Sequence, residues 1–183
     1  MNSKQVILIT GSSTGFGRLF TETLARKGHT VFATMRDPVG RNAKNASEIR
    51  GLAEKDSLPI HILEMDVTDD ASVERAVDAA IAKTGRIDVA INNAGYYLSG
   101  LEEAVTTEQA QRLMDTNFFG PVRVNRAVLP TCGANAAACS CTSAAAPAAW
   151  FFLPRASIAP ANLHSRRWPR LIATNLPRKE SNP

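Results

Sequence analysis

With 183 residues, 44% of them hydrophobic, the sequence is long enough for one domain with a sizeable core. Its net charge is +4, but residues 131–183 hold six basic side chains and one acidic one, so residues 1–130 stand at −1. The basic character belongs to the tail, and nothing in the main body points to nucleic acid.

No run of about 18 apolar residues is present, so neither a spanning helix nor a membrane partner is expected. Met1-Asn2-Ser3-Lys4 leads straight into an apolar run, without the pattern of a signal peptide. The expected location is cytoplasmic, with Cys132, Cys139 and Cys141 as reduced thiols. Cys139-x-Cys141 lacks the paired clusters of a zinc site, so no metal is expected.

In chain order, Val6–Thr10 reads as a buried parallel strand and Arg18–Lys27 as its crossover helix, closed by Gly28. Thr30–Met35 is a second strand. A loop with Pro38 and Gly40 leads to a helix over Ala43–Lys55. Ile60–Met65 is a third strand, and Asp69 or Asp70 caps a helix over Ala71–Lys83. Ile87–Asn92 is a fourth strand. Thr106–Leu129 is a long helical pattern with a break near Gly120-Pro121. Strands and helices alternating at this spacing predict an α/β fold, a doubly wound parallel sheet of Rossmann type in the order 3-2-1-4.

The stretch Thr10-Gly11-Ser12-Ser13-Thr14-Gly15-Phe16-Gly17 joins the first strand to the first helix. Gly11 allows a sharp turn at the strand end. Gly15 allows backbone to approach a pyrophosphate, and Gly17 allows the helix to pack closely. Free N–H groups and the positive end of the helix dipole then face the phosphates. A glycine-rich turn with no ligand is the alternative.

Four motifs in order make the first 130 residues resemble the short-chain dehydrogenase/reductase family. They are Thr10-Gly11-x-x-x-Gly15-x-Gly17, Asp66-Val67, Asn92-Asn93-Ala94-Gly95, and Asn117 within Met114-Asp115-Thr116-Asn117. The resemblance implies a seven-stranded Rossmann sheet and reversible hydride transfer between NAD(P) and an alcohol or carbonyl. It implies that Gly11, Ser13, Thr14, Gly15, Phe16 and Gly17 hold cofactor. Asp66 and Val67 would bracket the adenine, and Asn93, Ala94 and Gly95 would lie along the cofactor. Asn117 would match the catalytic-tetrad asparagine, whose backbone helps hold a proton-relay water.

Charge argues for the form of the cofactor. NAD-binding members place a carboxylate at the end of the second strand, on the ribose hydroxyls. Here that place is Thr34-Met35, followed by Arg36, a cation suited to a 2′-phosphate, with Ser13 or Thr14 as hydroxyl donors to it. NADP is therefore the expected cofactor. Asp37, one place later, leaves NAD open. Tyr96 and Tyr97 resemble pocket-mouth residues of members acting on lipophilic alcohols and carbonyls, and they read equally well as packing residues.

The family's chemistry also needs a serine and a Tyr-x-x-x-Lys motif. The only tyrosines are Tyr96 and Tyr97, followed four places later by Gly100 and Leu101. The only lysine beyond Lys83 is Lys179. The chain is expected to be inactive as written, and the alternative reading is a dinucleotide-binding remnant without chemistry.

Residues 131–183 contain one Gly, no Tyr and six Pro, and keep neither helical nor strand period. They divide from the nucleotide-binding part at residue 130 as a disordered or frame-shifted tail. The expected sheet is truncated after the fourth strand and the helix that follows, which leaves the fourth strand an unpaired edge. Back-translation of Ser157–Ser165, read from each third base, yields Tyr-Cys-Ala-Ser-Lys-Phe-Ala-Leu with permitted codons. Thr142–Ala148 yields a Val-Ser-Ser-Ser-Ala-Gly run, with a serine at the family's usual interval before that tyrosine. The expectation is one nucleotide lost near Pro130.

Overall fold

The computed structural model describes residues 4–98, 105–133 and 140–143; for 131–133 and 140–143 it describes the backbone only. Five parallel strands form one sheet in the order β3-β2-β1-β4-β5. They are β1 (Val6–Ile9), β2 (Thr30–Met35), β3 (Ile60–Glu64), β4 (Val89–Asn92) and β5 (Ser140–Ser143). The helices are α1 (Gly15–Arg26), α2 (Ala43–Lys55), α3 (Asp70–Thr84), α4 (Thr107–Met114) and α5 (Gly120–Gly133). A π-helical turn, Asp115–Phe119, joins the last two.

Alternation along β1 divides the core into two layers, because successive side chains leave opposite faces of a strand. Val6 and Leu8 face Val73 and Val77 of α3 and Val124 and Val128 of α5. Ile7 and Ile9 face Ala25 of α1 and Ala46 and Ile49 of α2. Helices thus cover both faces, and β1 is apolar on both sides, as a central parallel strand must be. Asp88, 8% exposed just before β4, accepts the Val6 N–H at 2.8 Å across the bottom of the sheet. Asp69 caps α3 by accepting the Ala71 N–H.

Three features differ from the sequence expectation. The fourth strand is not an unpaired edge: β5 runs parallel to it, with Asn92 opposite Ser143. Ser-Cys-Thr-Ser carries no apolar alternation to announce a strand, and the open backbone edge of β4 supplies the hydrogen-bonding template instead. Helix α1 begins at Gly15 rather than Arg18, so the last two glycines of the motif belong to its first turn. The long helical pattern does not break at Gly120-Pro121, since Gly120 keeps helical angles (φ −53°, ψ −57°). The irregularity is the π turn just before, where the Gly120 N–H donates to the Asp115 carbonyl. Pro121 has no N–H for the α-helical bond to Asn117, and one wider turn absorbs that defect.

His61 on β3 packs against the Phe32 ring at 5.4 Å between centroids. Burial, and secondarily the Lys83 charge, holds its pKa below the ordinary histidine value. The unfolded chain then takes up a proton near pH 6.5 that the folded chain resists. Stability should be complete above that pH and fall as pH drops from it toward the folded-state pKa. Urea midpoints at pH 7.5 and 5.5 should show this loss, and His61→Leu should make the loss smaller.

Candidate functional site

The carboxyl ends of β1 and β4 meet where the strand order reverses, the place at which such sheets open a crevice. Thr10, 1% exposed, closes its floor. Its hydroxyl oxygen accepts the N–H groups of Asn93 and Ala94, both at 2.9 Å. The Asn93 side-chain amide returns the contact, donating to the carbonyls of Thr10 (2.9 Å) and Gly11 (3.1 Å). Gly11 adopts φ +66°, and a Cβ there would lie 2.8 Å from the Ala94 Cα. A Cβ on Gly17 would strike the Gly11 carbonyl and come within 2.5 Å of the Asn93 amide nitrogen. The glycine turn, the start of α1 and the Asn93–Gly95 segment therefore interlock.

Above this floor lies a cleft of about 690 Å³. Gly11, Ser13, Thr14, Gly15 and Phe16 line it from the turn, and Asn93, Ala94 and Gly95 from the β4 end. Asp66 and Val67 line it beyond β3, and Arg36 beyond β2. Of the residues expected to touch cofactor, only Gly17 does not line the cleft; it is buried. A Cβ on Gly15 would meet nothing within 4 Å, so the backbone there faces open space. The Thr14 hydroxyl makes no cap to its own helix, and no acidic residue stands in the first turn of α1. Among the described residues no group of three His, Cys, Asp or Glu side chains is placed to hold a metal.

Asn117, 3% exposed, lies inside the π turn and does not line the cleft. Its side-chain oxygen accepts the Tyr96 N–H at 3.1 Å and its amide donates to the Tyr96 carbonyl at 2.7 Å. The side chain thus holds the segment after Gly95 in place. Pro121, four residues on, brings no N–H to the Asn117 carbonyl. Tyr96 lines the cleft, whereas Tyr97 is 67% exposed. Asp66 uses one carboxylate oxygen on the N–H and hydroxyl of Thr68, at 3.0 and 2.7 Å.

Sequence reasoning missed several members of the site. Arg41, Asn42, Met35, Met65 and Thr116 line the cleft. Asp37-Pro38-Val39-Gly40 was a legible turn signal that would have brought Arg41 back toward β2. Arg123 has no sequence signature at all. Its guanidinium pairs with Asp115 at 2.7 Å and donates to the Val67 carbonyl at 3.3 Å, tying α5 to the segment after β3.

The fold and this crevice define an open α/β domain of the dinucleotide-binding type. Residues 5–152 match the family model described as short chain dehydrogenase, and the chain belongs to that family. It is 41% identical over 126 residues to a 3-ketodihydrosphingosine reductase of Bacteroides thetaiotaomicron, covering 69% of this chain and 41% of that protein. It is 35% identical over 129 residues to the NADP-dependent 3-hydroxy acid dehydrogenase YdfG of Escherichia coli K12, covering 68% and 48%. Among solved structures, the NADPH-bound carbonyl reductase from chicken fatty liver superposes with a TM-score of 0.66 at 28% identity. That match covers 74% of this chain and 54% of the carbonyl reductase. The chain spans less than half the length of these two sequence relatives.

Thr10→Val removes the acceptor for two N–H groups while keeping shape. It should cost about 2 kcal/mol of stability, the scale of buried donors left unpaired. Denaturant unfolding of the two chains measures it.

Proposed function

We propose that the chain is an NADP(H)-binding member of the family, descended from enzymes that interconvert lipophilic alcohols and carbonyls. One observation carries the cofactor assignment. The cleft wall after β2 presents Arg36 and Arg41, and no carboxylate lines it there. A phosphate dianion on the adenosine ribose fits two guanidinium groups, whereas ribose hydroxyls call for an acceptor.

The remaining lining residues suit the same ligand. The first-turn N–H groups of α1 would hold the pyrophosphate, and Ser13 or Thr14 would offer a hydroxyl to the 2′-phosphate. Asp66 and Val67 would bracket the adenine, and Asn93, Ala94 and Gly95 would run along the middle of the cofactor. Bound there, the nicotinamide would supply or accept hydride. Gly17 would act indirectly, by letting α1 approach the turn. The Asn117 carbonyl, with a proline four residues on, would be the group that holds a proton-relay water.

This chain carries no Tyr-x-x-x-Lys motif. The family's proton transfer to the substrate oxygen depends on that tyrosine and lysine together with a serine. The chain as written would therefore bind cofactor without turnover, as a dinucleotide-binding remnant. Calorimetric titration should show NADPH binding that saturates, and lipophilic ketones should not consume NADPH above the background rate. Sustained reduction of any ketone would refute the inactive reading, and absence of NADPH binding would refute the cofactor reading.

The missing groups lead to a second expectation that needs only nucleic acid. The DNA from codon 131 onward should encode Ser and Tyr-Cys-Ala-Ser-Lys in the offset frame. Restoring one base near codon 130 should yield an active NADPH-dependent reductase, and replacing the recovered tyrosine by phenylalanine should abolish turnover while leaving NADPH binding intact. Stop codons in the offset frame ahead of the tyrosine codon would end this idea.

A further inference from the structure

Asp37 is the ambiguous residue of the cofactor assignment. By sequence it stands close enough to the end of β2 to serve ribose hydroxyls, which would favour NAD. The structure gives its carboxylate another occupation. Oδ1 accepts the Gly40 N–H at 2.8 Å, and Oδ2 accepts the Arg41 N–H at 2.7 Å. Its carbonyl accepts the Asn42 N–H at 3.0 Å. The loop is closed again by the Asn42 side chain, which donates to the Arg36 carbonyl.

Two local features exist only because of this arrangement. Asp37 adopts φ +45° directly before Pro38, a left-handed conformation that side chains other than Asn and Asp rarely take. Gly40 has no side chain because the Asp37 carboxylate occupies that space; a Cβ there would lie 2.6 Å from Oδ1. Strain of this kind, at the rim of a cleft, points to a positional requirement. Asp37 itself does not line the cleft, whereas Arg36, Arg41 and Asn42 do. Among the described residues neither Arg36 nor Arg41 is ion-paired with a carboxylate.

We propose that Asp37 is a positioning residue that folds loop 37–42 so that Arg41 joins Arg36 as a second cation for a ribose 2′-phosphate. The proposal rests on the NADP(H) reading above and deepens it. Two unpaired guanidinium groups on one wall repel each other, and a dianion placed between them removes that repulsion. Asp37 keeps its charge, but both of its oxygens accept N–H groups of its own loop and it does not line the cleft, so it is not placed as a ribose ligand. The same aspartate that would select NAD as a ribose acceptor thus favours NADP as a loop organiser.

The test uses the full 183-residue chain and binding alone. Dissociation constants are measured by calorimetry for NADPH and NADH, and for the fragments adenosine 2′,5′-bisphosphate and 5′-AMP. Arg41→Ala should weaken NADPH and the bisphosphate by about tenfold, the scale of one lost charge-assisted hydrogen bond, and leave NADH and 5′-AMP unchanged. Asp37→Ala should reproduce that pattern. If Asp37→Ala does not fold, Gly40→Ala, which displaces the carboxylate from its two N–H groups, takes its place with the same expected pattern. A preference for NADPH that disappears in Arg36→Ala but survives intact in Arg41→Ala would overturn the proposal and leave the NADP(H) reading standing. Weakened NADH with unchanged NADPH in Asp37→Ala would overturn it too, by making Asp37 a ribose ligand. Equal affinity of the unaltered chain for NADPH and NADH would instead overturn the cofactor reading beneath it.

Discussion

The structure depends on the exchange between Thr10 and Asn93 at the strand ends. One hydroxyl takes two N–H groups from the β4 segment, and one amide gives two hydrogens to the β1 turn. Thr10 itself is buried and the four contacts are partly so, which raises the cost of leaving them unmade. They fix the height and spacing of two loops that the sheet alone leaves free. Gly11 and Gly17 are then obligatory, because the loops come too close for any Cβ at either place.

A second layer of constraint holds the helical side of the crevice. Asn117 binds both main-chain groups of Tyr96, so two hydrogen bonds tie the π turn to the β4 loop. Arg123 spans from Asp115 in that turn to the Val67 carbonyl beyond β3. Gly120 lets the start of α5 come against Val67, where a Cβ would lie 2.9 Å from the valine methyl. The cleft wall beyond β3 and the helix bearing Asn117 are therefore mechanically joined. The π turn is the means of reaching this fit, since it rotates the helix ahead of Pro121 without breaking it.

Electrostatics divides the cleft in the same way. Asp66 is half spent on Thr68 and stays near neutral polar groups. Each Asp37 carboxylate oxygen accepts an N–H of its own loop, and the residue does not line the cleft. The acidic residues near the opening are thus tied to backbone, and the arginines that line it are not. A surface charge count over residues 1–130 gives no hint of this, because it treats every carboxylate as equally available.

Much of the architecture was legible in the residues. The strand bounds of β2 and the helix bounds of α2 follow directly from apolar period and flanking turn residues. Gly11 and Gly17 mark themselves because no side chain fits their close backbone approach, and Gly15 because its φ of +57° suits glycine. The sequence by itself determined the doubly wound alternation and the position of the crevice, through local periodicity and glycine, and the order from β3 to β4 was expected only from the fold type that this alternation implies. It could not determine β5, whose Ser-Cys-Thr-Ser has no apolar pattern and is recruited by the free edge of its neighbour. Nor could it determine the partners of Asp37, Asn117 and Arg123. Each has a side chain able to serve several roles, and only the tertiary structure decides which N–H or carbonyl lies within hydrogen-bond reach.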